Sequence, residues 1–370
     1  MTKSHLHPRP SLNLDDHPVP SGREEIWRFT PMVVVAPLLD ATATWLDAPV
    51  VVNGGDGVEV SCLPSPTGGL VPVDRPSAIA ANKVGRVTRV ALSGHVTEPV
   101  IVGVDLAGGP YVGHVVIDAE PGSRAVVVIE HTGQANYIGN VEIAVGEGAD
   151  LTVVSLQEWA DGTVHAGMHQ GLVGRDAHFR HVVVTLGGAL VRLQTNVAYS
   201  GTGGSAELFG LYMTDGGQHQ EHRLFVDQNM PKTVSRVDYR GALQGKGAHS
   251  VWVGDVLIRR DAEGTDSYES NRNLLLTGGC VADSIPNLEI ETGNIVGAGH
   301  SSATGHFDDE QLFYLQSRGI PEDEARRLIV QGFFYDIIRR IGVPGVETRL
   351  RAAIDAELDA VGVTNLSEEN

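Results

Sequence analysis

Residues 266–320 read DSYESNRNLLLTGGCVADSIPNLEIETGNIVGAGHSSATGHFDDEQLFYLQSRGI. Up to about Gly305, short apolar runs such as Leu274-Leu275-Leu276 alternate with glycine-bearing breaks. That is the punctuation of strands joined by tight turns. Beyond it the spacing predicts a helix, capped by Asp308 or Asp309, running through Leu315 and ended by Gly319. His300 lies just before the switch, inside the small-residue run Gly297–Gly305. Side chains that small leave an imidazole accessible to a ligand or a neighbouring chain.

N-terminal to this stretch, from about Gly85 to Val296, period-2 alternation dominates. Val87–Leu92, Ala125–Ile129, Leu151–Val154 and His181–Val184 carry the β-branched residues of strands. Similar breaks recur: PGSRA at Pro121, GEGAD at Gly146, GRDAH at Gly174, GTGGSAEL at Gly201, GKGAHS at Gly245 and TGGCVADS at Thr277. A turn followed by a strand, repeated, reads as a coiled sheet whose rungs stack about 4.8 Å apart. The fold class is therefore mainly β, a β-solenoid, with a large β-sandwich as the alternative.

C-terminal to the stretch, Pro321 opens a second helix with Glu322, Asp323 and Glu324 in its first turn. Leu328, Ile329, Phe333, Phe334, Ile337, Ile338 and Ile341 form its apolar stripe, and Gly342 stops it. A third helix spans about Val346 to Val361, with Leu350, Ile354 and Leu358 on one face. At the other end, residues 1–20 are Pro- and Asp-rich and read as a flexible arm. In SGREEIWRFTPM, Ser21 and Glu24 are placed to cap a short helix anchored by Trp27. The domain division is thus 1–20 arm, 21–84 α/β lead-in, 85–300 β-helix core and 301–370 helical domain.

A formal net charge of −19 makes phosphate backbones and anionic lipid poor partners. Cys62 and Cys280 are the only cysteines, which excludes a disulfide scaffold and fits a reducing cytoplasm. No apolar run reaches bilayer length, and MTKSHLHPRPSLNLDDHPVP lacks the apolar core of a secretory signal. P-loop, GxSxG and HExxH patterns are absent from the sequence.

Fifteen histidines raise the question of metal. His165/His169, His178/His181 and His219/His222 have spacings that align ligands on a helix but lie in strand-like segments. They are expected to be solvated side chains on solenoid faces; a three-His zinc site between chains is the alternative. Asp261, Glu263, Asp266 and Glu269 read as a solvated acidic face, the alternative being a solenoid enzyme acting on carbohydrate with Ca²⁺. Asn271 and Asn273 read as a structural amide ladder, and Cys62 as inert. Cys280, flanked by Gly278-Gly279, reads as a small core hydrophobe or as a reachable thiol at a turn.

Taken together, SRVDYRGAL (235–243), SYESNRNLLL (267–276), PNLEI (286–290), GHSSATG (299–305) and DDEQLFYLQSRGI (308–320) resemble the SufB/SufD family of iron–sulfur cluster assembly. REEIWRFTPM and the chain length resemble its SufD side. The resemblance implies a right-handed parallel β-helix flanked by helices. It implies a scaffold subunit without catalysis of its own, pairing with a SufB-like paralogue and a SufC-like ATPase. A cysteine desulfurase system and apo iron–sulfur proteins would be further partners. No cofactor would be held tightly by the isolated chain. A transient iron–sulfur cluster would form in the complex, ATP would bind the partner ATPase, and reduced flavin is left open. His300 matches the family's interface histidine and becomes a transient iron ligand; the cysteine two residues earlier in the family is Ala298 here. Cys280 lies near the level of a cysteine used by SufB-like chains. Asp227 stands where a family histidine is often seen. Phe333, Phe334 and Tyr335 are the expected anchors for the ATPase. The competing class is a β-solenoid enzyme acting on carbohydrate or using a His-bound metal.

Overall fold

The computed structural model describes residues 9–306 and 309–360. Three short strands, β1 (Leu46–Asp47), β2 (Val51–Asn53) and β3 (Val58–Leu63), precede the repeating body. That body comprises β4 (Val87–Leu92), β5 (Val100–Ala119), β6 (Arg124–Val145), β7 (Asp150–Trp159), β8 (Val164–Val173), β9 (His178–Gly187), β10 (Leu190–Tyr199) and β11 (Ser205–Thr214). It continues through β12 (His219–Gln228), β13 (Val234–Leu243), β14 (His249–Ile258), β15 (Asp266–Leu275), β16 (Val281–Ile290) and β17 (Gly297–His306). The helices are α1 (Met32–Val35), α2 (Arg75–Lys83), α3 (Asp309–Ser317), α4 (Glu322–Ile341) and α5 (Pro344–Ala360).

From β7 through β15 each strand pairs in parallel with the strand after next, whereas β4, β5 and β6 pair with their sequence neighbours. β7, β9, β11, β13, β15 and β17 stack into one sheet, and β8, β10, β12, β14 and β16 into the other. β5 and β6 run along both sheets. This is a parallel β-solenoid of about eight turns, which excludes the sandwich alternative. Its corners fall on the breaks read from sequence. Gly148 corners at φ 66°, whereas the equivalent corner at Asp176 takes φ 52° with a side chain in place. Asp tolerates this left-handed geometry better than most residues because its short side chain can bond locally.

Three layers of apolar contact hold the molecule together. Inward residues such as Val127, Leu151, Phe179, Leu208, Val237 and Trp252 fill the bore between the two sheets. The lead-in covers the outer face of the β8–β10 sheet, with Trp27, Leu38 and Ile79 against Ile138, Ala166 and Leu190. A buried ion network fastens it there. Arg192 reaches Asp74 at 2.5 Å and Glu221 at 3.3 Å, lies over the Trp27 ring at 4.1 Å, and Thr30 donates to Glu221 at 2.6 Å. Within the expected arm, residues 9–20 are docked: Ser11 donates to the Pro72 carbonyl, and Arg75 donates to the His17 carbonyl at 2.7 Å. Residues 1–8 lie outside the described residues. The Glu24 carboxylate accepts from the Ser21 and Gly22 amides, which holds its pKa down to about 2. The short helix expected here is a single 3-10 turn, Glu25–Trp27, which Glu24 precedes without a side-chain cap hydrogen bond.

The outer face of the β7–β9–β11–β13 sheet is covered by α4 and α5. Phe334, Ile337, Ile341, Leu350 and Ile354 pack on Val154, Val184 and Leu211. Arg349 pairs with Glu130 and Glu158, and Arg240 donates to the Phe333 carbonyl at 2.7 Å. α4 ends at Gly342 with φ 69°. Phe334 has no exposed surface, which removes it from the exposed anchors expected for a partner. Replacing Phe334 by Ala should cost about 3–5 kcal/mol, read as a lower denaturant midpoint. A loss under about 1 kcal/mol would mean that α4 is not fastened at this point.

Two expectations are corrected by the strand geometry. The histidines are not solvated: His165, His169, His181 and His222 are all buried. In a strand, positions four apart share a face, so His165 and His169 both enter the bore, while His178 and His181 split between outside and inside. Inside, they bond one another or other buried polar groups. His169 Nδ1 lies 2.9 Å from His181 Nε2, Gln157 links His131 to His165, and His222 Nε2 lies 2.9 Å from Thr185 Oγ1. The sheet also runs beyond residue 300, because β17 stays paired with β15 through His306.

Candidate functional site

The solenoid ends at β16 and β17. β16 is hydrogen-bonded to β14 and β17 to β15, and among the described residues neither gains a further partner on its outer edge. Natural edge strands are usually blunted by charge, proline or a bulge. β16 carries Asp283, Pro286 and Glu289, but β17, GAGHSSATGH, has no acidic, lysine, arginine or proline residue and is largely exposed. It is an edge left fit for pairing with another chain. Gly297 and Gly299 lie against the Tyr268 ring of the preceding rung, where a Cβ at Gly299 would approach to 3.1 Å.

His300 sits fourth in β17, with 43% of its side chain exposed. It stands in register with Glu269 of β15, so both side chains lie on the same side of the sheet. Their closest approach is 3.9 Å, between His300 Nδ1 and Glu269 Oε1. Glu269 was expected on a solvated acidic face, yet it is buried. The parity of the strand turns it inward, and Gly254 makes room for it: a Cβ there would fall 2.4 Å from Glu269 Oε2. Burial, helped by the negative charge of Asp255, pushes its pKa up to about 8. Among the described residues Glu269 Oε1 has no hydrogen-bond partner, and Trp252 Nε1 and Ser284 Oγ on neighbouring rungs lack one too. The open end of the bore therefore presents an accessible imidazole backed by unpaired polar atoms.

The other sequence candidates are placed elsewhere. Cys280 is half-buried in the corner before β16, its Sγ 3.4 Å from the Gly245 carbonyl. That corner follows the far end of β15, and His300 lies six residues short of His306, which pairs with that end. Six strand residues span roughly 20 Å. The structure thus does not bring Cys280 to His300. Asp227 forms two hydrogen bonds with Arg259, at 2.7 and 2.8 Å. Asn271 and Asn273 are mid-strand, buried, and bonded to each other and to Tyr212. The carboxylates suited to a carbohydrate enzyme do not converge: Asp266 pairs with Arg236, Glu263 with Asn294, and Glu269 points inward. Among the described residues no group of three or more His, Cys, Asp or Glu is poised to hold a metal ion.

On the helices, Phe333 is half-buried and Tyr335 exposed, the latter under Arg351 at 4.8 Å. Phe313 and Tyr314 on α3 are more exposed still, at 71% and 56%, and sequence reasoning did not single them out. A cleft between α3, α4 and the end of β15 is lined by Leu274, Tyr314, Leu315, Leu328 and Phe333. No described helix is long and apolar enough to cross a membrane.

Comparison with known proteins gives a consistent result. The family model described as "SUF system FeS cluster assembly, SufBD core domain" matches residues 104–333. A Mycobacterium tuberculosis protein named as an iron–sulfur cluster assembly SufBD family protein is 50% identical over 364 residues, 94% of this chain and 92% of its own length. Escherichia coli SufD is 28% identical over 286 residues, covering 76% of this chain and 66% of that protein. Bacillus subtilis SufD is 25% identical, covering 66% and 57%.

Proposed function

Because this chain belongs to the SufBD family of iron–sulfur cluster assembly proteins, we propose that it is the SufD-like scaffold subunit of a cytoplasmic assembly complex. Its open β16–β17 end pairs with a SufB-like subunit, and His300 faces the seam. The observation that carries this reading is an exposed imidazole on an edge strand without acidic, lysine or arginine residues, whose outer side has no partner strand among the described residues. Strand addition supplies main-chain hydrogen bonds as binding energy, and the side chains on the seam supply the chemistry. A nascent cluster needs ligands that let go, and neutral imidazole is a softer-held, more exchangeable ligand for iron than thiolate. The cluster is cargo here, built transiently in the complex and passed to apo-proteins.

The helices carry the second contact. A SufC-like ATPase docks on α3–α5, with Tyr335, Phe333, Phe313 and Tyr314 as apolar anchors. Exposed aromatic side chains are the residues that most often dominate such interfaces. Sulfur from a cysteine desulfurase system and reducing equivalents from flavin enter at the level of the complex, not through this chain alone.

The test is His300→Ala in the reconstituted complex. Cluster formed per complex should fall about ten-fold or more, the scale on which loss of a metal-site group acts. Co-purification of the subunits should persist, since the strand edge is intact. Unchanged cluster yield would remove His300 from the function and this reading with it.

A further inference from the structure

Glu269 is unusual on physical grounds alone. It is a carboxyl group whose side chain is 1% exposed, at the mouth of the bore, with one oxygen unpaired. Of the other buried carboxylates, Asp74 and Glu221 have arginine partners, Asp238 has Arg240, Glu142 faces the His114 imidazole at 3.5 Å, and Asp255 accepts from Asn287. Among the described residues Glu269 has no arginine or lysine partner; its one ion-pair contact is the His300 imidazole, at 3.9 Å. Burying an acid without a compensating cation is costly, so a position that keeps one is a candidate for receiving a cation.

We infer that Glu269 and His300 form a half-site for ferrous iron, Glu269 being a second ligand from this chain. The inference rests on the proposed function above and names which component of the cluster this subunit receives. Imidazole and carboxylate together suit a borderline divalent ion such as Fe²⁺. Bonds of about 2.0–2.2 Å put neighbouring donors around one ion roughly 3–3.5 Å apart. The observed 3.9 Å closes to that by a small rotation of the exposed His300 ring toward the Glu269 carboxyl group, which lies beside Gly254. Two ligands leave the remaining positions to water and to the chain that pairs with β17.

Cobalt(II) is the probe, since its visible ligand-field bands report carboxylate and imidazole bonding directly. The full-length chain should bind one Co²⁺, and anaerobic dialysis should show one Fe²⁺ displaced by it. Glu269→Gln, nearly isosteric, should weaken binding about ten- to hundred-fold and shift the bands. Glu269→Asp should also weaken it, because the carboxyl group withdraws by one methylene. Thermal melting of each variant checks folding; Glu269→Gln removes a lone buried acid and should melt no lower than the parent. Equal cobalt affinity and spectrum in Glu269→Gln, or no cobalt bound by the parent at millimolar metal, would overturn the half-site. If His300→Ala abolishes cluster formation while Glu269→Gln binds cobalt normally, the scaffold function stands and the second ligand falls.

Discussion

Lowering the pH from 6.5 to 5 is expected to destabilise the folded chain by about 1.4 kcal/mol for each pH unit. The cause is the column of histidines inside the bore. Burial holds His131 and His181 down to about 4 and His222 to about 3, and it keeps His165 and His169 well below their ordinary value. An unfolded chain takes protons on these rings below about pH 6.5, whereas the folded chain does not. Their contribution is therefore complete above pH 6.5 and is lost as the pH falls toward 4. Four acids work the other way. Burial raises Glu269 to about 8, Glu357 to about 7 and Asp255 to about 6, and it raises Asp215 as well, so the folded chain binds those protons first. Five rings against four carboxyl groups leave an excess of one proton on the unfolded state, worth about 1.4 kcal/mol per pH unit. Thermal midpoints at pH 7, 6 and 5 measure the slope. His222→Gln should reduce it by about 1.4 kcal/mol per pH unit. A midpoint that does not move between pH 6.5 and 5 would show that the rings are hydrated or ionised in the folded state.

Glu221→Ala is expected to cost about 3–5 kcal/mol, the range for breaking a buried ion pair from one side. Burial opposes ionisation of Glu221, but Arg192, His219 and Arg223 hold its carboxyl well below the usual range. Without it, Arg223 loses its one carboxylate ion pair among the described residues, and Arg192 keeps Asp74 and the Ile26 carbonyl. Thr30 loses its acceptor at the same time, so the segment carrying Trp27 should loosen from the outer face of the β8–β10 sheet. Urea midpoints give the energy, and faster proteolysis between residues 21 and 84 locates it. A loss under about 1 kcal/mol would mean that the network is solvated and that apolar contacts alone hold the lead-in.

Local periodicity made much of the fold legible. Alternation in Val87–Leu92 and Leu151–Val154 predicted β4 and part of β7, and the breaks at Gly146, Gly201 and Gly245 predicted corners. The stripe from Leu328 to Ile341 predicted α4, down to its stop at Gly342. The small residues around His300 indicated an accessible ring, and it is exposed. The inward histidines were not legible. Their type suggests solvent, and only the neighbouring rungs supply the partners that make burial tolerable. Phe333 and Phe334 look alike in sequence, yet the rotation of about 100° between helix neighbours turns Phe334 into the cluster with Val184 and Leu211 and leaves Phe333 at its margin.

By itself the sequence determined what depends on neighbours along the chain: strand period, corner positions, helix limits and the family. Only the tertiary structure decided which face of each strand looks inward, because covered outer sheets and a filled bore bury both sides and erase the polarity contrast that would reveal it. It alone also set Glu269 beside His300. Those residues are separated by one full coil of chain, and the length of that coil, not any local spacing, fixes which rung positions meet.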